Sequence, residues 1–305
     1  MKNSLWAVLP SHIFLVLALS NPVSAQEDAL VLPAASPWNV DMAAESCGLR
    51  RIFGTEEQSV FLEMRQFAPG GYVRFTVYSN ELRSGSEEMR YTLHPDTDVL
   101  YSTSPYTLTT ADGGQGASFG GSIYQTEANT SGEGNYDGFG SDDSPAPLTP
   151  EEMSDREALI NAISITGAFE QPVSLQSGSL GAPMQVMRGC LDDLVASWGI
   201  DLEAHRTLSR PVQPRGYRRW VQRIVEDYPS AALQRSEQAA LQVRLIVNLE
   251  GRVEECVAQS EVGDPVFVET ACRSLTRNAR FDPALDAEGN PIKSYWTTSI
   301  LYALN

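Results

Sequence analysis

The stretch Leu241-Gln242-Val243-Arg244-Leu245-Ile246-Val247-Asn248-Leu249-Glu250, followed by Gly251-Arg252-Val253, decides how this chain is read. Leu241, Val243, Leu245, Val247 and Leu249 alternate with more polar positions, which is the period of a strand with one apolar face. Glu250-Gly251 is then expected as a tight two-residue turn, with glycine supplying the positive φ of a hairpin, and Arg252 to Ser260 as the returning strand. Asp264-Pro265 opens a helix, with Asp as cap and Pro in its first turn. Phe267, Ala271 and Leu275 lie four apart on its inner face. A last strand over Ile292 to Leu304 puts Trp296, Thr298, Ile300, Tyr302 and Leu304 on one side. The unit expected from Arg218 onward is a three-stranded antiparallel sheet with two helices on one face, the earlier helix starting near Pro229.

Working outward, Ser209 to Gly216 carries Pro211, Pro214 and Gly216, and residues 210–217 are expected as a linker. Upstream, residues 37–209 form a β-rich domain that ends in a helix. Ser59 to Phe67 and Gly71 to Tyr78 are strands, and Val73, Phe75 and Val77 alternate with Arg74 and Thr76. Met184, Met187, Leu191, Leu194 and Trp198 recur at helical spacing within Pro183 to Trp198. The whole chain is α+β. Nine glycines fall between Gly113 and Gly140, so residues from about 111 to 150 are expected as a mobile Gly/Ser-rich excursion.

The start of the chain has the zones of an export signal: Lys2, the apolar run Ile13 to Leu19, and Val23-Ser24-Ala25 before Gln26. Residues 1–25 are expected to be cleaved, leaving a flexible tail over 26–36 and a periplasmic protein. A retained leader would instead anchor it in the inner membrane. From Gln26 to Ser209 there are nine basic and twenty-seven acidic residues, against twelve of each from Arg210 to Asn305. That acidity argues against nucleic acid and anionic membrane surfaces as partners. Arg215, Arg218, Arg219 and Arg223 around Trp220 form a basic cluster, open to two readings: a grip on an acidic partner, or, favoured by the charge next door, a face turned to the chain's own acidic domain.

Four cysteines in an exported chain favour disulfides, in any of three connectivities. Cys256, Ala258 and Ser260 are expected on one side of the returning strand, small enough for the helix bearing Cys272 to lie close. That favours Cys256 with Cys272, and leaves Cys47 with Cys190. With His94 and His205 the only histidines beyond the leader, and no nucleophile or phosphate-loop motif, neither enzyme chemistry, metal, cofactor nor small-molecule substrate is expected.

Tyr228-Pro229-x-x-Ala232, the Val243 to Val247 strand, Gly251-Arg252-Val253, Arg280-Phe281-x-Pro283-Ala284 and Gly289-x-Pro291 together resemble the C-terminal domain of TonB, the energy transducer of Gram-negative envelopes, from roughly Trp220 to Leu304. The paired cysteines resemble a variant of that domain in some alphaproteobacterial proteins. The resemblance implies that the last strand is an open edge, to which an extended peptide of an outer-membrane receptor or other envelope protein adds as a strand. Backbone groups along Tyr295 to Leu301 would pair with it, and outward Tyr295, Thr297, Ser299 and Leu301 would set selectivity. Self-association through the same edge, as a structural envelope protein, is the alternative. The departures concern energy coupling, which an anchored form would need. Ser11 and His12 are adjacent rather than a helical turn apart, an acidic β-rich domain replaces the family's Pro-rich spacer, and Ile224-Val225-Glu226-Asp227 replaces the polar residues expected before Tyr228.

Overall fold

The computed structural model describes residues 29–85, 89–103, 105–124 and 148–304. The N-terminal part runs β1 (Leu30–Pro33), β2 (Asn39–Ala43), β3 (Ser46–Gly54), β4 (Ser59–Gln66), β5 (Tyr72–Ser79), β6 (Met89–His94), β7 (Asp96–Thr103), β8 (Tyr106–Thr109) and β9 (Gln115–Ser122). It continues with α1 (Pro150–Leu159), β10 (Ala162–Thr166), β11 (Val173–Gln176), α2 (Gly181–Ser197) and α3 (Leu202–Arg206). The C-terminal part holds β12 (Gln213–Pro214), α4 (Tyr217–Glu226), α5 (Ser230–Gln234), β13 (Ala239–Val247), β14 (Val253–Val262), α6 (Val266–Asn278), β15 (Phe281–Asp282), β16 (Ala284–Leu285), β17 (Pro291–Ile292) and β18 (Ser294–Tyr302). The fold is α+β, as expected.

Two sheets share the first core. One is antiparallel in the order β2-β3-β4-β5-β9-β8, and the other is mixed in the order β1-β11-β10-β6-β7. Strict alternation along β4 and β5 buries every second residue, so Leu62, Phe75 and Val77 meet Tyr91, Ile163 and Leu175 from the other sheet. Tyr91 lies 5.3 Å from Phe75 and 5.4 Å from Phe119 between ring centroids. Helix α2 adds Met184, Met187, Leu191 and Leu194 to this core, and Cys190 on it is bonded to Cys47 on β3.

The structure corrects three expectations. The tail expected over 26–36 includes a strand, because β1 pairs in parallel with β11 and buries Leu32. The excursion expected over about 111–150 begins too early. Gln115–Ser122 is β9, held between β5 and β8. Its glycines serve close approach rather than freedom: a Cβ at Gly116 would lie 1.9 Å from the Val77 carbonyl oxygen, and one at Gly121 would lie 2.3 Å from the Tyr91 hydroxyl. At the far end α1 starts at Pro150 with a capping box between Thr149 and Glu152. Residues 125–147 of the expected excursion and the leader expected over 1–25 lie outside the described residues. Third, the stretch 210–217 is tied down, since Gln213 and Pro214 pair with Asp282 and Phe281.

Candidate functional site

The C-terminal sheet has the order β14-β13-β18, with β13 in the middle. The apolar stripe Leu241, Val243, Leu245 and Val247 faces a second core with Trp220, Phe267, Ala271, Leu275, Phe281, Trp296 and Tyr302. Helices α4, α5 and α6 cover this face, one more than the sequence suggested. Asp264 Oδ1 accepts from the Val266 N–H at 2.9 Å, the capping role expected of it. Cys256 on β14 is bonded to Cys272 on α6.

The hairpin turn is longer than the expected pair of residues. Val247 and Val253 are the last partners, and Asn248 organises the five-residue loop: its Oδ1 accepts from the N–H groups of Glu250 at 3.1 Å and Arg252 at 2.9 Å. Gly251 has φ +72°. A Cβ there would lie 1.9 Å from the Phe281 carbonyl oxygen.

The opposite face of the sheet is not a solvent face. Ile246 belongs to the first core and Tyr295 packs against it. Arg244 is 3 % exposed in its side chain. Its Nε and Nη2 each lie 3.2 Å from a carboxylate oxygen of Glu45, and its guanidinium sits 4.6 Å over the Trp198 ring. A β-bulge adds to this contact. Gln242 pairs with Ser260 while Val243 pairs with Ala258, leaving Gln259 as the extra residue. The Gln259 side-chain amide donates to the backbone oxygens of Phe67 at 2.6 Å and Glu45 at 3.1 Å. Ser260 therefore does not share a side with Cys256 and Ala258. It accepts from Arg74 at 2.9 Å.

Register places the four side chains of the last strand. Tyr295, Thr297, Ser299 and Leu301 stand opposite Ile246, Arg244, Gln242 and Ala240, so all four point towards the N-terminal part. Tyr295 stacks on His205 at 5.1 Å and meets Trp198 edge-on at 5.1 Å. Burial, with Asp192 nearby, pushes its hydroxyl pKa up to about 12. Its neighbour Ser294 lies 2.7 Å from His205 Nε2. Thr297 is half-buried, and Ser299 donates to Gln242 Oε1 at 2.7 Å. Leu301 is 58 % exposed. The far edge of β18 has no paired strand among the described residues. At its C-terminal end a crevice of about 180 Å³ opens between Ser299, Ile300 and Leu301 on one side and Tyr72, Tyr106 and Phe119 on the other.

The quoted motif residues mostly hold the scaffold. Tyr228 donates to the Glu237 carbonyl and meets Phe267 and Tyr302 edge-on. Pro229 is buried ahead of α5. Val253 and Phe281 enter the second core. The Phe281 N–H donates to the Gly251 carbonyl at 2.9 Å. Ala284 is buried in a pairing with Ile292, and its partner strand begins at Pro291. The Pro283 carbonyl accepts from Arg210 at 3.1 Å. Gly289, at φ +85°, closes the turn between them. Arg252 is exposed and Arg280 half-buried.

Three arginines of the basic cluster open onto a cleft within the C-terminal part rather than onto the acidic part. Arg215, Arg219 and Arg223 line a cleft whose walls contain no residue before Arg215. Sequence reasoning also left out Arg244, Gln259 and His205, which join the two parts. Ile246, an apolar residue on the polar side of the alternation, was the signal that this face is covered.

No helix among the described residues is long and apolar enough to cross a membrane. Residues 225–304 match the family model described as Gram-negative bacterial TonB protein C-terminal. Comparison with curated proteins gave no match. Among solved structures, the NMR solution structure of Helicobacter pylori TonB-CTD (residues 179–285) is 14 % identical, covering 36 % of this chain and 92 % of that one at a TM-score of 0.22. The family match falls on the segment that carries the motif string, so residues 225–304 of this chain are similar to the C-terminal domain of Gram-negative bacterial TonB.

Proposed function

We propose that this chain is a periplasmic TonB-like binding protein that contacts outer-membrane transport proteins by strand addition, without a catalytic step. The observation that carries this reading is the edge position of β18, which has β13 on one side only. As a sheet edge, the strand along Tyr295 to Leu301 is a template for an extended peptide. The side chains that tune selectivity are those a peptide can reach: Leu301, Ser299 and, across the crevice, Tyr106, which is 55 % exposed. Tyr295, held between Trp198 and His205, orients the strand.

Amide hydrogen exchange tests the proposal. Adding a receptor-derived extended peptide to the exported protein slows exchange at residues 294–302. Binding that leaves those amides unchanged sinks it. Slowing that depends on protein concentration alone, with a dimer in size exclusion, establishes self-association instead. The N-terminal residue of the protein isolated from envelopes separates the two forms: Gln26 makes it a free periplasmic binder, and only Met1 is compatible with an anchored transducer.

A further inference from the structure

Around the β13–β14 turn, Arg215, Arg219, Arg223, Arg252 and Arg280 line an open cleft of about 610 Å³, together with Glu226 and Glu250. The lining thus holds three positive charges in excess, in a chain whose net charge is −17. Two of the arginines are committed, Arg215 to Asp282 and Arg223 to Glu226. Arg219, Arg252 and Arg280 form no ion pair among the described residues. Like charges gathered in one cleft repel one another and lower the potential energy of an anion that enters.

Two further features fit an occupant. Gly216, at φ +62°, leaves the room in which Arg219 lies, since a Cβ there would come within 2.8 Å of a guanidinium nitrogen. Trp220, in the cleft wall, is 3 % exposed, and its Nε1 has no hydrogen-bond partner among the described residues. A buried donor left unmade is costly, so the residue in this wall carries an unanswered polar group. The volume falls in the range of small-molecule sites, roughly 300 to 1,000 Å³.

We infer that this cleft binds a small ligand carrying two phosphate groups. One carboxylate brings a single charge and answers one guanidinium. A phosphate monoester brings about −1.5 to −2 and three acceptor oxygens, so two such groups match the excess charge of the lining and use the forked donors of Arg219, Arg252 and Arg280, the last of which also donates to the Ala279 carbonyl at 2.6 Å. The site lies apart from the edge of β18, so it stands or falls separately from strand addition.

The test is calorimetric titration of the exported protein at low ionic strength with inorganic pyrophosphate and with citrate, repeated on the Arg219→Ala/Arg252→Ala double variant. Both side chains are exposed, so the variant keeps the fold, which circular dichroism checks. Pyrophosphate binds the parent protein and binds the double variant at least about tenfold more weakly. Absence of pyrophosphate binding at millimolar concentration, or undiminished binding by the double variant, overturns the proposal. Equal or tighter binding of citrate overturns the assignment to phosphate. Phosphatidylcholine vesicles containing phosphatidylinositol 4,5-bisphosphate, whose inositol ring carries two phosphate monoesters, distinguish the source. Co-sedimentation that the double variant loses supports the site with a lipid headgroup as ligand. Pyrophosphate binding without co-sedimentation supports it with a soluble ligand.

Discussion

Arg244, on the middle strand of the C-terminal sheet, holds Glu45 in the turn between β2 and β3 through two guanidinium nitrogens, each 3.2 Å from a carboxylate oxygen. The pair is unequal: the arginine side chain is 3 % exposed and the glutamate 27 %. Removing the glutamate leaves a buried cation with Glu255, 3.4 Å away, and the face of the Trp198 ring as compensation. Glu45→Ala is therefore expected to cost about 3 kcal/mol in urea unfolding, and Arg244→Ala less, because the freed carboxylate is hydrated.

The two disulfides close loops of very different length, with sequence separations of 16 and 143. Chain entropy assigns about 3 kcal/mol to the Cys256–Cys272 bridge and about 4 to 5 kcal/mol to Cys47–Cys190. Paired Cys→Ser variants should rank in that order by unfolding midpoint. The reverse order would show that the shorter bridge acts through native contacts rather than through the unfolded chain.

The glycines of β9 offer a sharp contrast. Gly116→Ala forces a Cβ against the Val77 carbonyl and should destabilise by about 3 kcal/mol. Gly113, in the preceding turn, has φ +92° but nothing within 4 Å of its Cβ position, so alanine there costs about 1 kcal/mol of backbone strain. Thermal unfolding of the two variants reads the difference directly.

Acid should loosen the contact around His205. Burial holds its imidazole pKa below the ordinary 6.5, with Asp201 opposing more weakly. The groups against it are the Tyr295 ring and the Ser294 hydroxyl. A folded-state pKa below the unfolded one means that the full stability is present above about pH 6.5 and is lost as pH falls through the folded value. Urea midpoints should fall from pH 7 to pH 5 in the parent protein and fall less in His205→Gln. Equal falls would place the acid sensitivity elsewhere.

The C-terminal module was legible because its order rests on local alternation and turn chemistry. Leu241 to Leu249 and Asp264-Pro265 carry their structural meaning within a few residues. The coverage of the polar face was not, because Arg244 and Gln242 are the residues expected on a solvent face. The partner that buries Arg244 lies 199 residues away. Strand β9 was hidden by composition: Gly and Ser read as chain freedom, and only Ala117 and Phe119 hinted at a buried face. Strand β1 had its signal in Leu30-Val31-Leu32, but its parallel partner β11 is non-local. Of the candidate site, the edge position of the last strand was readable. The direction of Tyr295, Thr297, Ser299 and Leu301 towards the N-terminal part was not.

Alternate residues of β18 are anchored in different places, Trp296 in the second core and Tyr295 against the first. A partner laid along this strand and then pulled would load both cores in shear, with the Arg244–Glu45 clamp between them. The mechanical unit is then the chain from Leu30 to Tyr302, braced by two cross-links, rather than its last eighty residues alone.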